Sequence, residues 1–292
     1  MKKLKVAILG SGNIGTDLLY KVLRSSRLEC SLFVGRNLSS KGMSRALSLG
    51  IPVSDKGIQA IQDNPECCHV VFDCTSAMSH KIHAPILAGL GIIVIDLTPA
   101  KLGPFCIPAI NLDACLGDVN VNMITCGGQA SIPLAYVIGQ TQQQVDYIEV
   151  VSTIASKSAG PATRLNLDEY IETTEKGVKM FSGCGRAKAI LNLNPAEPCI
   201  DMQTTVYATV PKIDLPTLKE GIAIMVEKIQ RYVPSYNLII PPTYENNRVI
   251  MSVRVKGMGD FLPSYAGNLD IINCAAIAVA EEFAKARIEG RR

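Results

Sequence analysis

Cys126 lies in the run Met123-Ile-Thr-Cys-Gly-Gly-Gln-Ala130, a setting that would suit a covalent catalyst. The apolar stretch from Val119 to Ile124, interrupted by two asparagines, predicts a strand arriving at Thr125. Two glycines then allow a sharp turn, and Gln129 to Gln140, with Pro133 near its start, predicts a helix. A thiol at or just before a helix N-terminus sits among free N–H groups at the positive end of the dipole, which favours the thiolate. The same N–H groups would receive an oxyanion formed when the thiolate attacks a carbonyl. The alternative is one buried cysteine among ten.

A second chemical motif opens the chain. Lys5 to Leu9 has the pattern of a buried strand and runs directly into Gly10-Ser11-Gly12-Asn13-Ile14-Gly15, after which a helix begins near Asp17 with Leu18, Leu19, Val22 and Leu23 as its apolar stripe. Strand, G-x-G-x-x-G and helix in that order predict a dinucleotide site: the first glycine turns the chain, the second admits pyrophosphate, and the third lets helix pack on strand. After the second strand, Ser31 to Val34, an acidic residue would normally hold the ribose 2′-hydroxyl. Here the segment reads Gly35-Arg36-Asn37-Leu38-Ser39-Ser40-Lys41 and contains no acid. Arg36, the serines and Lys41 suit a 2′-phosphate; Arg36 stacked over adenine or turned to water is the alternative.

The elements that must position these groups follow from pattern. Helices near Lys41 to Leu49 and Lys56 to Ile61 lead to the strand Val70 to Asp73, which Cys74-Thr75-Ser76 closes at the ligand-facing edge; a helix carrying His80 and His83 then leads to the strand Ile92 to Thr98. Alternating strand and helix with near-continuous apolar strands predicts a doubly wound parallel sheet buried on both faces. Beyond Gln144 the strands lengthen and alternate: Tyr147 to Ala155, Ala189 to Leu193, Gln203 to Val210, Asn237 to Ile240 and Arg248 to Val255. A mostly antiparallel sheet with one wetter face is expected there. It would be crossed by helices from Asn166, where Glu169 completes a capping-box pattern, to near Gly183, and from Pro216 to Tyr232. The last helix, Asn268 to Ile288, is apolar enough to be buried against the first domain. The expected organisation is a dinucleotide-binding domain over 1–125, an α+β catalytic and dimerisation domain over 126–264, and a C-terminal helix over 265–292. Ser156-Lys157-Ser158-Ala159-Gly160-Pro161-Ala162-Thr163-Arg164 is a small-residue loop whose N–H groups and flanking cations would suit phosphate or a carboxamide, with an ordinary turn as the alternative; Asn268 reads as a helix cap.

Composition narrows the class. A hydrophobic share of 48% with 19% charged residues describes a globular chain, and a net charge of +3 is too small to imply nucleic acid or a membrane surface. The Lys and Arg residues at the two ends read as solvated tails. Ten cysteines without framework spacing, Cys67 and Cys68 adjacent, and no secretory leader predict reduced thiols in the cytoplasm. No metal site is expected.

Together the segments S-G-N-I-G-T-D (11–17), I-T-C-G-G-Q-A (124–130), S-K-S-A-G-P-A-T-R (156–164), L-N-P-A-E-P (193–198) and Y-A-G-N-L-D-I (265–271) resemble the acylating acetaldehyde dehydrogenases over nearly the whole chain. The resemblance implies a Rossmann domain followed by an α+β domain in the glyceraldehyde-phosphate-dehydrogenase-like layout. It also implies oxidation of a short-chain aldehyde with NAD or NADP and coenzyme A, giving acyl-CoA, and a homodimer paired with a 4-hydroxy-2-oxovalerate aldolase. By it Cys126 is the acyl-thioester nucleophile, while Ser11 to Ile14, the 156–164 loop and Asn268 contact the cofactor; Gly10 and Gly15 of the glycine motif, Arg36 and Thr75 are cofactor candidates from their own places in the sequence. Two alternatives stay open: an NADPH-dependent acyl-CoA reductase working in the reverse direction, and a weakly active paralogue scaffolding the aldolase.

Two departures matter. Where the family has an acid after its second strand, this chain reads Val34-Gly35-Arg36-Asn37; where it has M-R-D-T-V, this chain reads Met202-Gln203-Thr204-Thr205-Val206. Thr204 thus replaces the proposed base and is not expected to act as one. All three histidines, His69, His80 and His83, precede Cys126, whereas phosphorylating relatives of this layout carry a histidine base after their cysteine. An acceptor thiol, with a pKa of ~8.5, needs less help than water or phosphate.

Overall fold

The structure is a computed structural model and describes residues 3–290. The chain forms two units, one made of residues up to Met123 together with those from Asn273 onward, the other of Ile124–Ile272. The end cations Lys2, Arg291 and Arg292 lie outside the described residues; Lys3 donates to the Ser25 carbonyl at 2.8 Å.

The first unit contains β1 (Leu4–Leu9), α1 (Asn13–Arg24), β2 (Leu28–Val34), α2 (Lys41–Ser48), β3 (Val53–Ser54), α3 (Gln59–Gln62), β4 (Val70–Asp73), α4 (Ala77–Gly89), β5 (Ile93–Asp96), α5 (Pro108–Cys115) and β6 (Asn120–Asn122). Its six strands lie in the order β3-β2-β1-β4-β5-β6, every pairing parallel. That is the doubly wound order expected from the sequence, with the strand order reversing beside β1. Val6 to Leu9 and Val70 to Asp73 are buried along their whole length, which is why these strands show no alternation. The two-residue β3 and the kinked α5, with Asn111 outside helical φ/ψ, carry too little periodicity to be read from sequence.

The second unit contains α6 (Cys126–Thr141), β7 (Tyr147–Ala155), α7 (Pro161–Leu165), α8 (Leu167–Ser182), β8 (Arg186–Asn194), β9 (Met202–Thr209), α9 (Leu215–Gln230), β10 (Tyr236–Glu245) and β11 (Arg248–Val255). The sheet order is β10-β11-β9-β7-β8; β7 and β8 are parallel and the other pairs antiparallel. Alternation decides the covered face: Ile148, Val150 and Ile154 of β7, Met202, Val206 and Ala208 of β9, and Val249, Met251, Val253 and Val255 of β11 are buried. α6 packs on α8 and α9, and the buried Tyr236 donates its hydroxyl to the Ala130 carbonyl at 2.7 Å. α8 ends at Gly183 in the left-handed conformation, as expected, but Asn166 occupies its N-cap position without a side-chain capping bond.

α10 (Gly267–Ile288) crosses the division between the units. In the first unit, Asn273 donates to the Ile14 carbonyl at 3.2 Å and to Asp17 at 2.8 Å, and Asp17 also holds the buried Lys21 at 2.8 Å. Among the described residues no helix is long and apolar enough to cross a membrane.

The glycines between β1 and α1 are fixed by sterics. Gly10 has φ +119, and a Cβ on Gly15 would stand 1.9 Å from the Gly10 carbonyl oxygen. Gly15→Ala is therefore expected to lower stability by about 1–3 kcal/mol, the usual range for overpacking, and to weaken dinucleotide binding. Denaturant unfolding and a dinucleotide titration check this; an unchanged midpoint would refute the close packing.

Candidate active site

α6 begins three residues earlier than the sequence suggested. Thr125 is its N-cap, with Oγ1 accepting the Gly128 N–H at 2.8 Å. This cap draws Cys126 and both glycines into the first turn, so the glycines are helical residues and not a turn before the helix. Thr174 Oγ1 of α8 donates to the Tyr170 carbonyl at 2.7 Å and lies 2.8 Å from Thr125 Oγ1. Since the Thr174 proton is used on Tyr170, Thr125 is the donor between the two threonines. One run of hydrogen bonds, Gly128 to Thr125 to Thr174 to Tyr170, thus ties the α6 cap to α8.

Cys126 Sγ is half-buried and lies 3.8 Å from the Tyr170 hydroxyl, within reach of a hydrogen bond to sulfur. Burial is the largest influence on the thiol and pushes it up to about 11; the Tyr170 hydroxyl and the backbone N–H groups of Gly127 and Cys126 pull the other way. The helix N-terminus therefore acts in the direction expected from sequence, but desolvation outweighs it in the resting thiol. Ser152 of β7 and Thr204 of β9 are opposed in the sheet register, with hydroxyl oxygens 3.0 Å apart. Ser152 and the Gly127 N–H both hydrogen-bond the Tyr170 hydroxyl. Asp201 precedes β9, outside this contact.

The dinucleotide motif of the first unit is shaped as its chemistry requires. Gly12 is the N-cap of α1, makes no side-chain capping bond, and has open space where a Cβ would stand. The first turn of α1 carries no acid, so its N–H groups and dipole are available to a pyrophosphate. A Cβ on Gly35 would meet Ser11 Oγ at 2.7 Å, so the segment after β2 runs against the glycine loop, and exposed Arg36 follows directly. Ser40 is the cap of α2 and lies 3.2 Å from Ser11 Oγ. Thr75 bonds back to Asp73 through its N–H at 3.0 Å and its hydroxyl at 2.5 Å.

In the 156–164 loop the cations are already engaged. Arg164 donates to Ser156 O at 3.0 Å, Ser156 Oγ at 2.9 Å and Ala159 O at 3.2 Å. Exposed Lys157 pairs with Glu197 at 2.5 Å, and Ser158 donates to Ala155 O at 2.8 Å. The Ala162 side chain lies outside those described. Asn268 is the second residue of α10 and not its cap; its Oδ1 is buried without a partner.

Two family models match the chain: "Semialdehyde dehydrogenase, NAD binding domain" over residues 5–117 and "Prokaryotic acetaldehyde dehydrogenase, dimerisation" over residues 126–263. An acetaldehyde dehydrogenase of Spirochaeta aurantia is 60% identical over 99% of this chain and 97% of its own length. One from Pectobacterium atrosepticum is 58% identical over 98% and 97%. The chain belongs to the acetaldehyde dehydrogenase family. It is thus an oxidoreductase with an NAD-binding Rossmann domain. An aspartate semialdehyde dehydrogenase of Candida albicans, solved with NADP, shares the fold at TM-score 0.66 and 12% identity, covering 98% of this chain and 99% of that one.

Several groups of this family member were not singled out in sequence. Ser152 interrupts the apolar phase Ile148, Val150, Ile154 of β7, and a polar residue in a buried phase was the available signal. Tyr170, Thr125 and Thr174 had none. In the first unit, fully buried Asp73 and Asp96 end adjacent strands and share the buried His80, at 2.9 and 3.3 Å, while His83 lies 2.9 Å from Asp73. For Asp73, burial is overcome by hydrogen bonds from His80 and His83, and its carboxyl falls to about 2. Burial opposes the charge on His80 too, but Asp73 and Asp96 raise its pKa. Burial dominates at Asp96 and lifts it to about 7, against His80 and Thr98.

The sign of the resulting pH dependence follows. Asp73, held low, adds stability that is lost only as pH falls below its unfolded value towards about 2. His80 and Asp96, both raised, contribute stability present at low pH and lost as pH rises, Asp96 through about 7. Asp96→Asn removes one of these titrations. Its Tm relative to wild type is expected to improve by about 2–4 °C or more between about pH 5 and pH 8. A difference independent of pH in scanning calorimetry would refute the assignment.

Proposed function

We propose that this chain is a CoA-acylating acetaldehyde dehydrogenase working through a thioester on Cys126. The observation that carries the reading is the thiol in the first turn of α6, at the N-terminus that Thr125 caps. The thiolate adds to the carbonyl carbon of a short-chain aldehyde, and the first-turn N–H groups receive the oxyanion. Nicotinamide, when bound, supplies a hydride acceptor. Oxidation leaves an acyl thioester on Cys126, and the thiol of coenzyme A takes the acyl group and releases the cysteine. The absence of histidine after His83 supports a thiol as acceptor, since thiols need little general-base assistance near neutral pH.

The residues suited to the dinucleotide are Gly10 to Gly15, for the pyrophosphate, and the segment from Gly35, for the ribose. Asn268, through its unpartnered oxygen, and the 156–164 loop, through its backbone, are the candidates for the carboxamide. Residues 126–263 would form a homodimer, in keeping with the name of the model they match, with a 4-hydroxy-2-oxovalerate aldolase as the partner that delivers aldehyde.

Cys126→Ser is expected to lower acyl transfer by at least about three orders of magnitude with dinucleotide affinity nearly unchanged. An assay of reduced nicotinamide formed from acetaldehyde and coenzyme A decides this, and near-normal turnover would sink the covalent mechanism.

The cofactor preference is read from Arg36 and Lys41, exposed beside the glycine loop in a segment lacking an acid. NADP should be used at least as well as NAD, and Arg36→Ala should move the ratio of kcat/KM values about tenfold towards NAD. Such a preference would favour the reducing, biosynthetic direction. If NAD is favoured by more than about tenfold and Arg36→Ala leaves the ratio unmoved, the charge argument fails.

A further inference from the structure

The covered face of the second sheet is apolar except where two hydroxyls meet. Ser152 and Thr204 are buried, directly paired across β7 and β9, and bonded at 3.0 Å. A polar pair in such a face costs free energy unless its hydrogen bonds are satisfied. Ser152 is satisfied on its other side by the Tyr170 hydroxyl, which stands 3.8 Å from Cys126 Sγ. The position of that hydroxyl is enforced from three sides. A Cβ on residue 127 would lie 2.0 Å from it and 2.8 Å from Ser152 Oγ, so it fills the space a side chain would take. Its main chain is held to the α6 cap through Thr174 and Thr125, and its ring is buried.

We propose that Tyr170 is a catalytic residue of this site, donating its O–H to the Cys126 thiolate, and that Ser152, backed by Thr204, is the positioning residue that keeps this donor in place. The proposal rests on the thioester reading of Cys126 and adds to it the group that stabilises the sulfur anion. In the resting state the thiol donates to the Tyr170 oxygen. When the thiol proton leaves to solvent, to which Cys126 is partly exposed, the Tyr170 hydroxyl turns its proton to the sulfur. No proton is lost from Tyr170, whose own ionisation burial strongly disfavours.

The other groups facing the sulfur are the backbone N–H groups of Cys126 and Gly127, and among the described residues no ionised side chain acts on it from α6, α8, β7 or β9. Asp168 and Glu169, in the first turn of α8, are exposed and half-buried respectively and do not contribute. Tyr170 is thus the one side chain that favours the anion, where a hydrogen bond to charge counts for most.

The test follows the rate of Cys126 alkylation by iodoacetamide against pH, read by peptide mass spectrometry to separate this cysteine from the other nine. Tyr170→Phe keeps the ring and removes the donor. It should raise the pH of half-maximal alkylation by about one and slow the reaction about tenfold below that pH, with kcat for acyl transfer falling and KM for aldehyde little changed. Ser152→Ala should shift the profile in the same direction by less. A wild-type profile in Tyr170→Phe overturns the proposal; should that variant fail to fold, a wild-type profile in Ser152→Ala overturns it. Neither result touches the thioester, which fails separately if Cys126→Ser retains turnover.

Discussion

The chemistry of the second unit depends on the side chain that residue 127 does not have. α6 and α8 approach so closely at the first turn of α6 that the Tyr170 hydroxyl occupies the position of a Cβ, 2.0 Å away. No L-residue other than glycine fits there without moving α8, and moving α8 would withdraw Tyr170 from Cys126. The helix begins at Cys126 only because Thr125 caps it, and the cap is itself bonded to α8 through Thr174. Start of helix, place of thiol and place of tyrosine are therefore one constraint.

The two units handle buried polarity in opposite ways. In the first, the carboxyl groups of Asp73 and Asp96 meet His80 and His83 at the ends of β4 and β5, and their desolvation is offset because each carboxyl has a histidine or a backbone donor. Such a cluster fixes the strand ends from which Thr75 and Thr98 emerge, and makes them sensitive to pH. Around the thiol, the described side chains of this network are neutral hydroxyls, Tyr170, Ser152 and Thr204. A neutral network costs less to bury and leaves the sulfur as the only group free to change charge.

The Rossmann half was legible because its signals are local. A glycine motif between strand and helix leaves one reading, and uniformly apolar strands need no knowledge of their neighbours. β7 and β11 were legible to the residue, their buried phases recurring every second position through most of Tyr147 to Ala155 and Arg248 to Val255. The start of α6 was not, because two glycines argue against helix, whereas the Thr125 cap that draws them in is supported by Thr174, 49 residues away. Asn268 was read as a cap on residue type alone, and the helix starts one residue earlier at Gly267. The thiol itself was visible, but its environment was not. The helix N-terminus is a local feature that favours thiolate, whereas the burial that opposes it comes from a sheet and a helix distant in sequence.

That opposition bears on how a single cysteine can serve both as attacking group and as leaving group. Burial pushes the Cys126 thiol up to about 11 and so favours its neutral form at rest. Attack on the aldehyde needs the anion, and so does the last step, because an acyl thioester releases its sulfur as a thiolate and a more stable thiolate departs faster. A hydroxyl that turns its proton to the sulfur when the sulfur is charged lowers both barriers, because its hydrogen bond to the anion is stronger than the one it accepts from the neutral thiol. An acidic residue beside the sulfur could not do this, since its charge would oppose the anion at both steps. Thr204 supplies a neutral hydroxyl that supports Ser152, and through it the Tyr170 donor.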